Sequence, residues 1–150
     1  MGVYDIALCR PIATALKELG ATNAWVVHGH DGLDELTTTT TSHVCAVENG
    51  RIDEFDIDPR DAGLPTASMR DLQGGAPDVN AKKITALLQG EKGPYRDIAL
   101  LNSAAALIVA GRAENLQEGV QIGSKAIDDG RAFSALKNLI EHSNRAEGDE

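Results

Sequence analysis

Residues 25–36 read WVVHGHDGLDEL, and this stretch decides the fold. An apolar, β-branched run ends at Gly29, a glycine turn follows, and Asp31, Asp34 and Glu35 come directly after it. The segment AWVVH at 24–28 is short and almost wholly apolar, which predicts a strand covered on both faces. Ligands of open α/β sheets gather beyond the carboxyl ends of the strands, where these acids stand. Mg²⁺ is a hard ion, held by one or two carboxylates together with substrate phosphates. Asp34 and Glu35 suit that role, with Gly29 and Gly32 letting the backbone approach closely. A solvated acidic turn has the same spacing, and spacing alone favours the turn.

Outward from this stretch the chain alternates between helical and extended patterns. Upstream, residues 4–19 (YDIALCRPIATALKEL) place Leu8, Ile12, Leu16 and Leu19 on one helical face, with Gly20 as a stop. Pro11 predicts that the regular helix starts near Arg10 or bends there. Downstream, Asn49-Gly50 between residues 43–48 and 51–57 is a strong hairpin signal. Residues 59–78 are rich in Pro, Gly and Asp and read as a connection. Helices follow: one from a cap at Asn80 to Gly90, and one opened by Pro94 that is apolar nearly all round and hence central. Another begins after Asn115, with Glu118 completing a capping box, and the last spans about 131–142, with Phe133, Leu136, Leu139 and Ile140 on one face. The polar end, residues 145–150, reads as a disordered tail. One parallel-type strand plus a hairpin makes a thin mixed sheet for so many helices. A strand buried on both faces needs neighbours, so the chain reads as part of a larger α/β unit.

Composition narrows the function. The 150 residues fit one domain with a single core, and aromatics are only 3%, so that core is aliphatic. A net charge of -9 with scattered Lys and Arg argues against nucleic acid, though a bridging divalent cation reconciles an acidic protein with a phosphorylated ligand. The longest apolar run, SAAALIVAG at 103–111, falls short of the ~20 residues that span a bilayer and reads as a buried helix. No membrane partner and no secretory signal are expected. Cys9 and Cys45 lie far apart without metal-type spacing and read as reduced thiols of a cytoplasmic protein.

Other motifs are weaker. His28 and His30 flank Gly29, but no third soft ligand is placed, so His28 reads as held by a backbone hydrogen bond and His30 as exposed. The turn QGGAPDVNA at 73–81 offers backbone N–H groups to an anion, or is a plain helix entry. Asn102 inside an apolar helix reads as a buried hydrogen-bonding residue, and Cys45 as core.

Taken in order, GVYDIALCRPIATALKELG, WVVHGHDGLDE, GGAPDVNA and LLNSAAALIVAG resemble the C-terminal part of the anthranilate phosphoribosyltransferases, from about residue 2 to 144. The VVHG-x-DGLDE core makes the resemblance specific. It implies a phosphoribosyltransferase and nucleoside-phosphorylase-type α/β domain, with residues 1–144 as its C-terminal portion. It also implies transfer from phosphoribosyl pyrophosphate to anthranilate in tryptophan biosynthesis, by a cytoplasmic, homodimeric, Mg²⁺-dependent enzyme. The family's Asp-Glu metal pair falls on Asp34 and Glu35, which reverses the preference for a solvated turn; Asp31 receives no ligand role. The family's N-terminal helical domain, glycine-rich phosphate loop, anthranilate contacts and neighbouring parallel strands are expected outside these residues. Three readings stay open. The chain is the metal-binding half of an enzyme completed by another chain or a homo-oligomer, a non-catalytic fragment with a binding or structural existence, or a nucleoside phosphorylase-like glycosyl transferase.

Overall fold

The computed structural model describes residues 1–145, so the expectation for 146–150 lies outside the described residues. Three strands form the sheet: β1 (Asn23–Gly29), β2 (Ser42–Glu48) and β3 (Arg51–Ile57), in the order β1-β2-β3. Both pairings are antiparallel, with Val26 opposite Cys45 and Cys45 opposite Glu54. Parallel character enters the sheet at one bridge, Gly2 with Val27, where the Val3 N–H donates to the Val27 carbonyl at 3.0 Å. A parallel neighbour for β1 needs a crossover connection, whereas the 30–41 loop returns directly and reverses the chain. Asn49 (φ 48°) and Gly50 (φ 80°) make the tight turn of the β2–β3 hairpin, as that dipeptide predicts. β3 is the outer strand, and its charged Asp53, Glu54 and Asp56 suit an exposed edge.

Helices cover both faces. On one, α1 (Cys9–Glu18) buries Cys9 and Ala13 against Val26, Cys45 and Val47, with Ile12 and Leu16 packed beside them. Pro11 occupies the first turn, where its missing N–H has no intrahelical partner to lose, so the helix runs on through it. Residues 6–8 form a separate short 3₁₀ turn, with the Asp5 carboxylate accepting from the Ala7 N–H. On the other face, α3 (Pro94–Val109) places Leu101 and Ala105 in a cluster with Val27, Leu36, Val44, Ala46 and Ile57. α4 (Leu116–Asp128) lies so close to α3 that a Cβ on Gly119 would meet the Ala104 Cβ at 2.6 Å. The buried Arg96 guanidinium reaches Asp128 at 2.7 Å and ties the same two helices together.

Two helical expectations change. α2 (Pro77–Leu88) starts at Pro77 rather than at Asn80, because proline is suited to the first helical position. The Asn80 side chain instead closes the preceding turn, accepting from the Gly75 N–H at 2.8 Å and donating to its carbonyl at 3.1 Å. α3 is not enclosed all round: Ser103 and Ala106 are exposed. In α5 (Arg131–Ser143), Phe133 and Leu136 are half-buried, while Leu139 (66% exposed) and Ile140 (53%) face solvent. Among the described residues no helix is long and apolar enough to cross a membrane.

Candidate metal centre beyond the first strand

The loop after β1 is folded by its own polar groups. The Gly29 N–H donates to the Leu33 carbonyl at 2.8 Å, and Gly32 takes φ 95°, a conformation glycine adopts without strain. Asp31 is the anchor. It accepts from the Leu33 N–H at 3.1 Å, from the Thr37 hydroxyl at 2.6 Å and from the Thr39 hydroxyl. Burial raises its pKa, but these donors outweigh burial and hold the carboxyl below its usual range. An acid this fully hydrogen-bonded has a structural role, in keeping with the absence of a ligand assignment for Asp31.

Asp34 and Glu35 differ from it. Asp34 is exposed, and its backbone carbonyl lies against Gly2, where a Cβ would approach that oxygen to 1.5 Å. Glu35 is half-buried, and one carboxylate oxygen accepts from the Asn102 amide of α3 at 3.2 Å. Burial, then Asp34, then Asp31 raise the Glu35 pKa. A carboxylate pushed up by two neighbouring anions gains from a cation placed among them. Two hard oxygen donors on consecutive residues, one exposed and one half-buried and kept in place by an amide, fit Mg²⁺. Both line a cleft of about 510 Å³ together with Trp25, Ala105 and Val109, and Glu35 also lines a second of about 770 Å³ that includes Arg70.

Asn102 is the polar clamp its position predicts. Its Oδ1 accepts from the Leu36 N–H at 3.0 Å, and its Nδ2 donates to the Leu36 carbonyl at 2.8 Å, so α3 holds the acidic loop directly. His28 is buried with Nδ1 at 2.9 Å from the Val3 carbonyl, and exposed His30 lies 3.2 Å from Asp56, so the two histidines do not converge. The QGGAP turn closes on Asn80 and leads into α2 as a plain helix entry. Sequence reading missed the part of Gly2, whose only signal is its glycine identity, and that of Arg70 in the second cleft.

The profile of the glycosyl transferase family, a/b domain, matches residues 1–133. The chain belongs to this family. Within the glycosyl transferase family it is 58% identical to the anthranilate phosphoribosyltransferase of Methylocella silvestris over 146 residues, 97% of this chain and 42% of the relative. The crystal structure of the Thermus thermophilus anthranilate phosphoribosyltransferase superposes with a TM-score of 0.84 at 35% identity, over 93% of this chain and 41% of that one. A Saccharomyces cerevisiae anthranilate phosphoribosyltransferase variant with Mg bound gives 0.82 at 25% identity, over 93% and 41%. The chain thus spans less than half the length of the relatives it matches.

Proposed function

We propose that this chain supplies the Mg²⁺-holding part of an anthranilate phosphoribosyltransferase site, completed by residues that lie outside this sequence. The observation that carries this reading is the Asp34–Glu35 pair lining one cleft, with Glu35 steadied by Asn102 and its pKa raised by burial and then by the neighbouring anions. The 58% identity to a named anthranilate phosphoribosyltransferase supports that acceptor over a nucleoside. A bound Mg²⁺ supplies charge neutralisation for the pyrophosphate that leaves phosphoribosyl pyrophosphate when the anthranilate amine attacks the anomeric carbon. Asp34 and Glu35 hold the cation, Asn102 fixes the orientation of the Glu35 carboxylate, and Asp31 keeps the loop in shape through its threonine donors. The apolar wall of Trp25, Ala105 and Val109 excludes water from the adjoining cleft once a partner covers it.

The test follows anthranilate fluorescence. The purified chain alone shows no phosphoribosyl-pyrophosphate-dependent loss of signal. Mixing it with a polypeptide that carries the family's glycine-rich loop restores a Mg²⁺-dependent loss, and Asp34→Ala with Glu35→Ala removes that dependence. Turnover by the chain alone, or unchanged Mg²⁺ dependence in the double variant, refutes the reading. A mixture that stays inactive favours the non-catalytic reading, a binding or structural role for these residues.

A further inference from the structure

The paired strands β2 and β3 carry a second group of metal-binding side chains. The two-residue turn at Asn49-Gly50 pairs Cys45 with Glu54 and His43 with Asp56, so all four project from the face that carries α1. His43 Nε2 lies 3.7 Å from Cys45 Sγ and 3.4 Å from Glu54 Oε2, and one ligand atom from each residue falls within 4.8 Å of the others. Zinc bonds of about 2.0–2.3 Å place tetrahedral ligand atoms roughly 3.3–3.8 Å apart, so little movement is needed. We propose that His43, Cys45 and Glu54 bind a zinc-type transition-metal ion, with the fourth position open to solvent.

Three further features suit that assignment. Asp56 Oδ1 lies 3.0 Å from His43 Nδ1; by accepting that N–H it leaves the Nε2 lone pair facing Cys45 and Glu54, the carboxylate–histidine–metal arrangement. Arg10 occupies Oε1 of Glu54 and leaves Oε2 for the ion. A dication balances one thiolate and one carboxylate. Burial, then Glu54, then Cys9 push the Cys45 thiol up to about 11, so the free chain carries it protonated. Binding releases that proton to water as the sulfur–metal bond forms. The ion would clip β2 to β3 beneath α1, independently of the Asp34–Glu35 pair.

Cobalt(II) is the probe, because a thiolate–cobalt bond absorbs in the near ultraviolet. Titration of the full chain yields one such absorbing ion per chain, and zinc displaces it. The band persists in Cys9→Ser and in Asp34→Ala with Glu35→Ala, and is lost in Cys45→Ser. Asp56→Asn weakens binding about tenfold. Glu54→Gln, at a half-exposed side chain, keeps the far-ultraviolet dichroism of the fold and weakens binding at least tenfold. The proposal falls if the folded chain gives no band, if the band survives Cys45→Ser or follows Cys9, or if folded Glu54→Gln binds cobalt as tightly as the parent.

Discussion

Asp31 and Glu35 lie in one loop and are pushed in opposite directions. Hydrogen bonds hold Asp31 below its ordinary 3.8, so its stabilising contribution is present above 3.8 and lost as pH falls through the lower folded value. Glu35 is raised above its ordinary 4.5; its contribution is intact below 4.5 and declines as pH rises through the raised folded value. Glu35→Gln keeps an acceptor for Asn102 without the charge. In metal-free buffer it therefore melts higher than the parent at neutral pH, and the difference closes below 4.5. A difference that is constant with pH contradicts this account. The threonine run makes a second contrast. The Thr37 hydroxyl donates to Asp31 and accepts from the Thr39 N–H, whereas the buried Thr38 hydroxyl has no partner among the described residues. Thr37→Val costs about 1–3 kcal/mol in urea melts by stripping a donor from a carboxylate. Thr38→Val is neutral or stabilises by about 1 kcal/mol, because it removes a hydroxyl that gained nothing by burial. A Thr38→Val loss equal to that of Thr37→Val overturns the assignment.

At the scale of elements, the α3–α4 contact depends on one missing side chain. A Cβ at Gly119 would stand 2.7 Å from the Ala104 Cα, so Gly119→Ala forces the helices apart and costs about 1–3 kcal/mol. Ala104→Gly in the same chain returns part of that loss, and simple additivity of the two losses rules out the contact as the cause. Short-range features of this kind of packing were legible in the sequence where the chain itself fixes them. Asn49-Gly50 set the hairpin and its register, Pro94 opened α3, and Asn115 capped α4 by accepting from the Glu118 N–H at 2.9 Å. Glu118 in turn accepts from the Glu114 N–H rather than from that of the cap residue. The direction of β1 relative to β2 was not legible, because it depends on how the 30–41 loop returns, with the Thr37 N–H bound to Ser42 Oγ and Leu36 clamped by Asn102. Gly2 and Asn102 reach the acidic loop across long sequence separations that no local pattern records. The apolar face of α5 was read correctly as a stripe, but a stripe does not say whether anything covers it.

For the whole molecule, the decisive feature is the apolar wall beside the Asp34–Glu35 pair. β1 is paired on its outer side by residues 1–3, and the adjoining cleft of about 510 Å³ is walled by Trp25, Ala105, Ala106 and Val109. Such a surface suits a packed neighbour better than water. Trp25 is the single tryptophan of the chain, half-buried and edge-on to Phe55 at 5.6 Å, which makes its fluorescence a direct reporter of that wall. Addition of a polypeptide that carries the family's glycine-rich loop should shift Trp25 emission to the blue and raise the melting temperature if it covers this wall, since a partner that binds only the folded form stabilises it by mass action. A hundredfold excess over Kd corresponds to about 2.7 kcal/mol of added stability. Ala106→Lys, at an exposed position of α3, leaves the isolated fold unchanged but places a charge against the incoming surface and reduces both effects together. If turnover is restored while Trp25 emission and the melting temperature stay where they were, the partner docks elsewhere, and the wall beside the acidic pair is not the surface that completes the site.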